Sequence, residues 1–84
     1  MNKVKGKIEE ISDVNHNGNL KKIVRLLLDN GQIAFFEFQG RAMNKLISFN
    51  INDKVRLFFV FNGKQSCKDV HYNNLIGREI YKLS

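Results

Sequence analysis

The feature that most constrains this chain is an apolar/polar alternation of period two, cut into segments by Asn-Gly dipeptides and interrupted once by a helical period. Alternation of that period sends successive side chains to opposite faces of an extended strand, one face to a core and one to water. In the first segment Val4, Gly6 and Ile8 alternate with Lys5, Lys7 and Glu9, and the pattern continues towards Ile11. Gly6 within it predicts a bend or bulge. Asn15-His16-Asn17-Gly18-Asn19 then reads as a polar loop with a hairpin signal. A second strand spans 20–29, with Val24, Leu26 and Leu28 on one face and Ile23, Arg25 and Leu27 on the other. Asn30-Gly31 predicts a type I′ turn, because both residues accept positive φ. The third strand, 32–39, therefore folds directly back, with Ala34, Phe36 and Phe38 opposed to Ile33, Phe35 and Glu37.

After Gly40 the period changes. Ala42, Met43, Leu46 and Ile47 recur at helical spacing and predict an amphipathic helix of about two turns. Asn52-Asp53 makes a turn, and a fourth strand alternates Val55, Leu57, Phe59 and Phe61 with Lys54, Arg56, Phe58 and Val60. Asn62-Gly63-Lys64-Gln65-Ser66 is a second polar hairpin loop, and a last strand at 71–83 carries a bulge near Gly77. Three meander strands, a helix and a closing hairpin are the element order of the OB-fold, an all-β, five-stranded Greek-key barrel with one short helix between strands three and four. Closure would remove the exposed edges of an open sheet. Met43, Leu46 and Ile47 are expected to plug one barrel end. An SH3-like barrel normally lacks that helix.

Residues 1–84 are read as a single domain, and the seven Phe supply much of its core. The lone Cys67 rules out an intramolecular disulfide and points to a reducing, cytoplasmic location. No apolar stretch approaches the roughly 18–20 residues of a membrane span, and no apolar region follows Lys3, Lys5 and Lys7 as in a signal peptide. Fourteen Lys and Arg against eight Asp and Glu give a net charge of +6. Such a charge attracts polyanions, though it also serves plain solubility.

Two segments resemble the middle of bacterial single-stranded DNA-binding proteins. They are Phe36-Glu37-Phe38-Gln39-Gly40-Arg41-Ala42 and Phe49-Asn50-Ile51-Asn52-Asp53-Lys54-Val55-Arg56-Leu57. Leu75-Ile76-Gly77-Arg78-Glu79-Ile80-Tyr81 resembles the last strand of the same family. The opening Val4-Lys5-Gly6-Lys7-Ile8 and the Phe-Glu-Phe are similar to short, uncharacterised bacterial and mobile-element OB proteins. The resemblance implies an OB-fold that binds single-stranded DNA. It also implies departures: family members stack bases on tryptophan and carry an acidic tail, whereas this chain has no Trp and is expected to be tail-less, like small primosomal OB proteins.

The outer face of strands two and three is the customary oligonucleotide surface of an OB-fold. Single strands are held there by aromatic rings that stack bases and by cations that follow phosphates. Phe35 is the expected stacking platform, with Arg25 beside it; Lys21, Lys22, Arg56 and Lys64 are expected to line the phosphate track, and Tyr72, next to His71, to stack near the second loop. Ile23, Leu27 and Phe35 also suit a dimer interface, and Phe58 with Val60 forms a second exposed apolar pair suited to a subunit contact. His16 is either a loop contact or simply solvated. Cys67 and His71 have ligand-like spacing but lack the second pair that a structural zinc site needs. No catalytic set is visible, so a non-enzymatic binding module without cofactors is expected. Its partners are single-stranded DNA, with RNA as the alternative polymer, and further copies of itself. The rival is an assembly module that uses the same strands for protein contact.

Overall fold

In the computed structural model, which describes residues 1–61 and 75–83, the alternating segments become β1 (Asn2–His16), β2 (Asn19–Leu28), β3 (Ile33–Gln39), β4 (Lys54–Phe61) and β5 (Leu75–Lys82). They hydrogen-bond in the ring order β1-β2-β3-β5-β4, and β4 pairs with β1 to close a barrel. A 3₁₀ helix, Gly40–Leu46, links β3 to β4.

β1 bends far enough to serve two neighbours. Residues 2–7 pair with β4 and residues 6–16 pair with β2. Gly6 lies in both ladders, opposite Leu28 and Val55. A Cβ there would overlap the Leu27 carbonyl oxygen, so glycine permits the close approach of β2. The bulge itself falls further on, between Ile8 and Glu10, leaving Glu9 as the extra residue. Ile8 turns from the ladder to the next turn, donating its N–H to the Asp53 carbonyl at 3.0 Å and accepting from Asn52 N–H at 2.7 Å.

The two hairpins close with different turn chemistry. The polar segment around His16 is mostly strand; only Asn17 (φ 53°) and Gly18 (φ 83°) turn, both left-handed as a type I′ turn requires. Asn15 Oδ1 accepts the Gly18 N–H at 3.1 Å. At Asn30-Gly31, by contrast, only Gly31 is left-handed, with φ 90°. Gly31 N–H donates to the Leu28 carbonyl at 2.9 Å, and Leu28 N–H to the Gln32 carbonyl at 2.8 Å. Asp29 thus joins the loop, and a three-residue connection with a glycine bulge replaces the two-residue type I′ turn expected there.

In β1 to β4 the core is built from the predicted parity. Ile8, Val24, Leu26, Phe36, Phe38, Val55, Leu57, Phe59 and Ile80 are buried inside the barrel, with Leu46 from the helix. Phe36 and Phe59 meet edge to face at 5.1 Å. Ile47 is a correction. It is 78% exposed, because a 3₁₀ helix repeats every three residues and so aligns Met43 with Leu46, leaving Ile47 to turn away. Phe61, expected inside, is also exposed, at the last position of β4.

β5 confirms the expected irregularity. Glu79 pairs with Phe58 and Gly77 with Phe59, so Arg78 is bulged out beside Gly77. A Cβ on Gly77 would sit inside the Phe38 ring. Gly77→Ala is therefore expected to destabilise the fold by about 1–3 kcal/mol through overpacking, measured by urea unfolding. The penalty should shrink in a Phe38→Leu background, as a double-mutant cycle would show.

Candidate nucleic-acid interface

Closure makes the outer side of β1, β2 and β3 one convex surface, and pairing sets its rows. Lys21 lies opposite Gln39, Ile23 opposite Glu37, Arg25 opposite Phe35, and Leu27 opposite Ile33. Phe35 is 55% exposed in the middle of this face. The Arg25 guanidinium stands 5.9 Å from its ring centroid and its Nε 3.4 Å from Glu9 Oε1, which the β1 bulge brings alongside. Ile33 is exposed, and Ile23 and Leu27 are half-buried. The sequence expectation that Phe35 and Arg25 adjoin is met.

The cationic track on this face is weaker than the residue list suggests. Lys21 Nζ lies 3.4 Å from Glu37 Oε1, which also accepts from Gln39 at 2.9 Å. Lys22 pairs with Asp13. Lys22 lies opposite Phe38, one position out of step with Lys21 and Arg25, so it belongs to the other side of β2, at the rim near the helix. Arg56 stands on β4, which neighbours neither β2 nor β3. Lys64, Tyr72, Cys67 and His71 lie outside the described residues. Phe58 and Val60, expected to be exposed, are half-buried; Phe58 packs edge to face on Tyr81 at 5.9 Å.

A second surface, over β1, β4 and β5, was not singled out from the sequence. Antiparallel pairing sets Lys5 opposite Arg56 and Lys7 opposite Lys54, with Lys3 opposite Phe58. Tyr81 lies opposite Arg56 on β5 and is exposed. None of Lys3, Lys5, Lys7, Lys54 and Arg56 has a carboxylate partner among the described residues. The alternation of Lys3, Lys5 and Lys7 was legible, but which strand lay beside them was not.

Glu79 lies on β5 opposite Phe58, and Lys45 of the helix neutralises it. The Lys45 ammonium donates to Glu79 Oε1 at 2.7 Å, and Tyr81 Oη reaches the same oxygen at 3.5 Å. The hydrogen bond from Lys45 is the main cause holding the Glu79 carboxyl below its ordinary pKa; desolvation opposes it, and the Lys45 charge and Tyr81 hydroxyl add to it.

Among the described residues, no group of His, Cys, Asp and Glu is placed to hold a metal ion, and no helix is long and apolar enough to cross a membrane. No family model, curated protein or solved structure matches the chain. What the geometry defines is a small closed β-barrel with one aromatic, ion-paired face and one basic face whose cations have no carboxylate partner among the described residues.

Because the folded-state pKa of Glu79 is depressed, the stability it contributes is present above its unfolded pKa and is lost as pH falls through the folded value. Lys45→Ala is expected to return the Glu79 pKa upward towards the ordinary carboxylate value, read by NMR titration of the side-chain carboxyl.

Proposed function

We propose that this barrel is an OB-fold module that binds single-stranded nucleic acid, DNA first and RNA as the alternative, without catalysing a reaction. The observation that carries the reading is Phe35, an aromatic ring 55% exposed at the centre of a three-stranded face with Arg25 against it. A solvated ring contributes little to folding, whereas a base stacked on it gains about 1–3 kcal/mol. The ring order β1-β2-β3-β5-β4, with a helix between β3 and β4, supports the OB assignment, since that fold presents these same strands to oligonucleotides. The net charge of +6 supports a polyanionic ligand. Base stacking is indifferent to base identity, so little sequence preference follows.

A second reading has its own observation. Ile33 and Phe35 are exposed beside half-buried Ile23 and Leu27, which makes a continuous apolar strip of the kind that marks protein contacts. Under that reading the face joins copies of the chain, and the module is one of assembly.

Titration of a fluorescent oligo-dT 30-mer, at low and at high salt, separates the two. Binding that weakens steeply with salt is expected for the parent, with a log–log slope of about −3 for about four phosphate contacts. Phe35→Ala is expected to weaken it by about 1–3 kcal/mol. If that variant binds as tightly as the parent, stacking on Phe35 is wrong. No binding at either salt, with a stable oligomer by light scattering, would establish the assembly reading instead.

A further inference from the structure

From the charge arrangement on β1, β4 and β5 we infer that the phosphodiester backbone of a bound single strand is held on that face, by Lys3, Lys5, Lys7, Lys54 and Arg56, and not by the lysines of β2. The inference rests on the single-strand reading above and says where the phosphates go.

Cation placement is the first ground. On β2 the candidate cations are already occupied: Lys21 by Glu37, Lys22 by Asp13 and Arg25 by Glu9. A phosphate must compete with a carboxylate at each. On β1 and β4 the cations face one another instead, Lys5 against Arg56 and Lys7 against Lys54. Like charges directly opposite on a sheet destabilise it, so this arrangement works against folding and favours whatever anion relieves it. The carboxylates closest in the fold do not provide that relief. Glu79 is taken by Lys45, Asp53 by Lys82, and Asp29 touches this region through its backbone N–H, which donates to the Lys5 carbonyl at 3.3 Å.

Spacing is the second ground. Lys3, Lys5 and Lys7 share one side of β1, and alternate residues along a strand lie about 6.6 Å apart. Lys54 and Arg56 double the row on the adjacent strand. The result is a line of positive charge two strands wide, suited to an extended polyanion more than to one compact anion. Exposed Tyr81, opposite Arg56, supplies a ring at its margin.

Continuity is the third. Lys7 lies in both β1 ladders, opposite Leu27 on one side and Lys54 on the other. The row Ile33, Leu27, Lys7, Lys54 therefore runs unbroken from the edge of the Phe35 face to the basic face. A strand stacked on Phe35 reaches the cations by crossing β1 at Lys7.

The test is a salt titration of oligo-dT binding with the parent, the double variant Lys5→Gln/Arg56→Gln and the control Lys22→Gln/Arg41→Gln. The control removes the same net charge from β2 and the helix, off this face. Each lost phosphate contact reduces the slope by about 0.7, so the Lys5/Arg56 variant is expected to be shallower by about 1.4. Between 50 and 200 mM salt it would lose about sevenfold less affinity than the parent. The control should keep the parent's slope. Removing a repulsive pair should leave Tm no lower, and Lys7→Gln/Lys54→Gln gives an independent second variant with the same expected slope change. If the parent binds and both face variants keep its slope, the phosphate path is wrong while the single-strand reading stands. Equal losses in control and face variants would assign the effect to net charge and overturn the path. A parent that does not bind oligo-dT overturns the path and the single-strand reading together.

Discussion

The barrel depends on its thinnest seam. Among the described residues β3 and β5 run parallel and share a single backbone pairing, Glu37 with Ile76, whereas every other neighbouring pair is an extended antiparallel ladder. Side chains must therefore hold what hydrogen bonds do not. Phe38 reaches across and fills the space that Gly77 leaves by having no side chain. The Arg78 bulge bends β5 where Gly77 meets that ring, and the helix beyond β3 seats Leu46 on the core. Without this contact β3 and β5 would be free edges. The antiparallel ladders of β4 with β1 and of β2 with β3 set each outer face locally, and this seam closes them into one barrel. Closure of the ring thus rests on one aromatic ring packed over one glycine.

Much of this was legible because strand parity is a local property. Val24, Leu26, Phe36, Phe38, Val55 and Leu57 face the core as alternation requires. The bulge near Gly77 could be read from a glycine inside an apolar strand. What escaped was whatever depended on a neighbour. Ile47 fits an α-helical face and misses a 3₁₀ one, and the tighter turn is set by how the helix packs on β2, β3 and β5. Asn30-Gly31 has the residues of a type I′ turn, but the β2–β3 register leaves three residues to connect and so selects a glycine bulge. Phe58 looks exposed by parity and is covered by Tyr81 from the next strand.

The candidate site divides in the same way. Phe35 and Arg25 come from consecutive strands joined by a short hairpin, so their adjacency follows from register. Arg56 was grouped with them on charge alone, although the ring order puts it two strands away. Charge counting treats all cations as equivalent. Pairing does not: Lys21 takes its partner from β3, and Lys22 and Arg25 take theirs from β1, across a ladder whose bulge at Glu9 the turn residues do not specify.

Energy shows why the distribution of cations matters more to a ligand than to the fold. A surface ion pair contributes about 0–1 kcal/mol, and a like-charge pair costs a similar amount, so neither outweighs the buried core. The fold therefore tolerates Lys5 opposite Arg56. A polyanion meets the summed field, to which paired lysines add little and unpaired ones contribute in full. Outer positions on this barrel are thus nearly neutral for stability and decisive for binding, while the inner positions are the reverse. Alternation at period two is what allows one short chain to meet both demands residue by residue. Lys7, set between the Leu27 and Lys54 ladders with Gly6 and Ile8 buried on either side of it, shows the two demands met at adjacent positions.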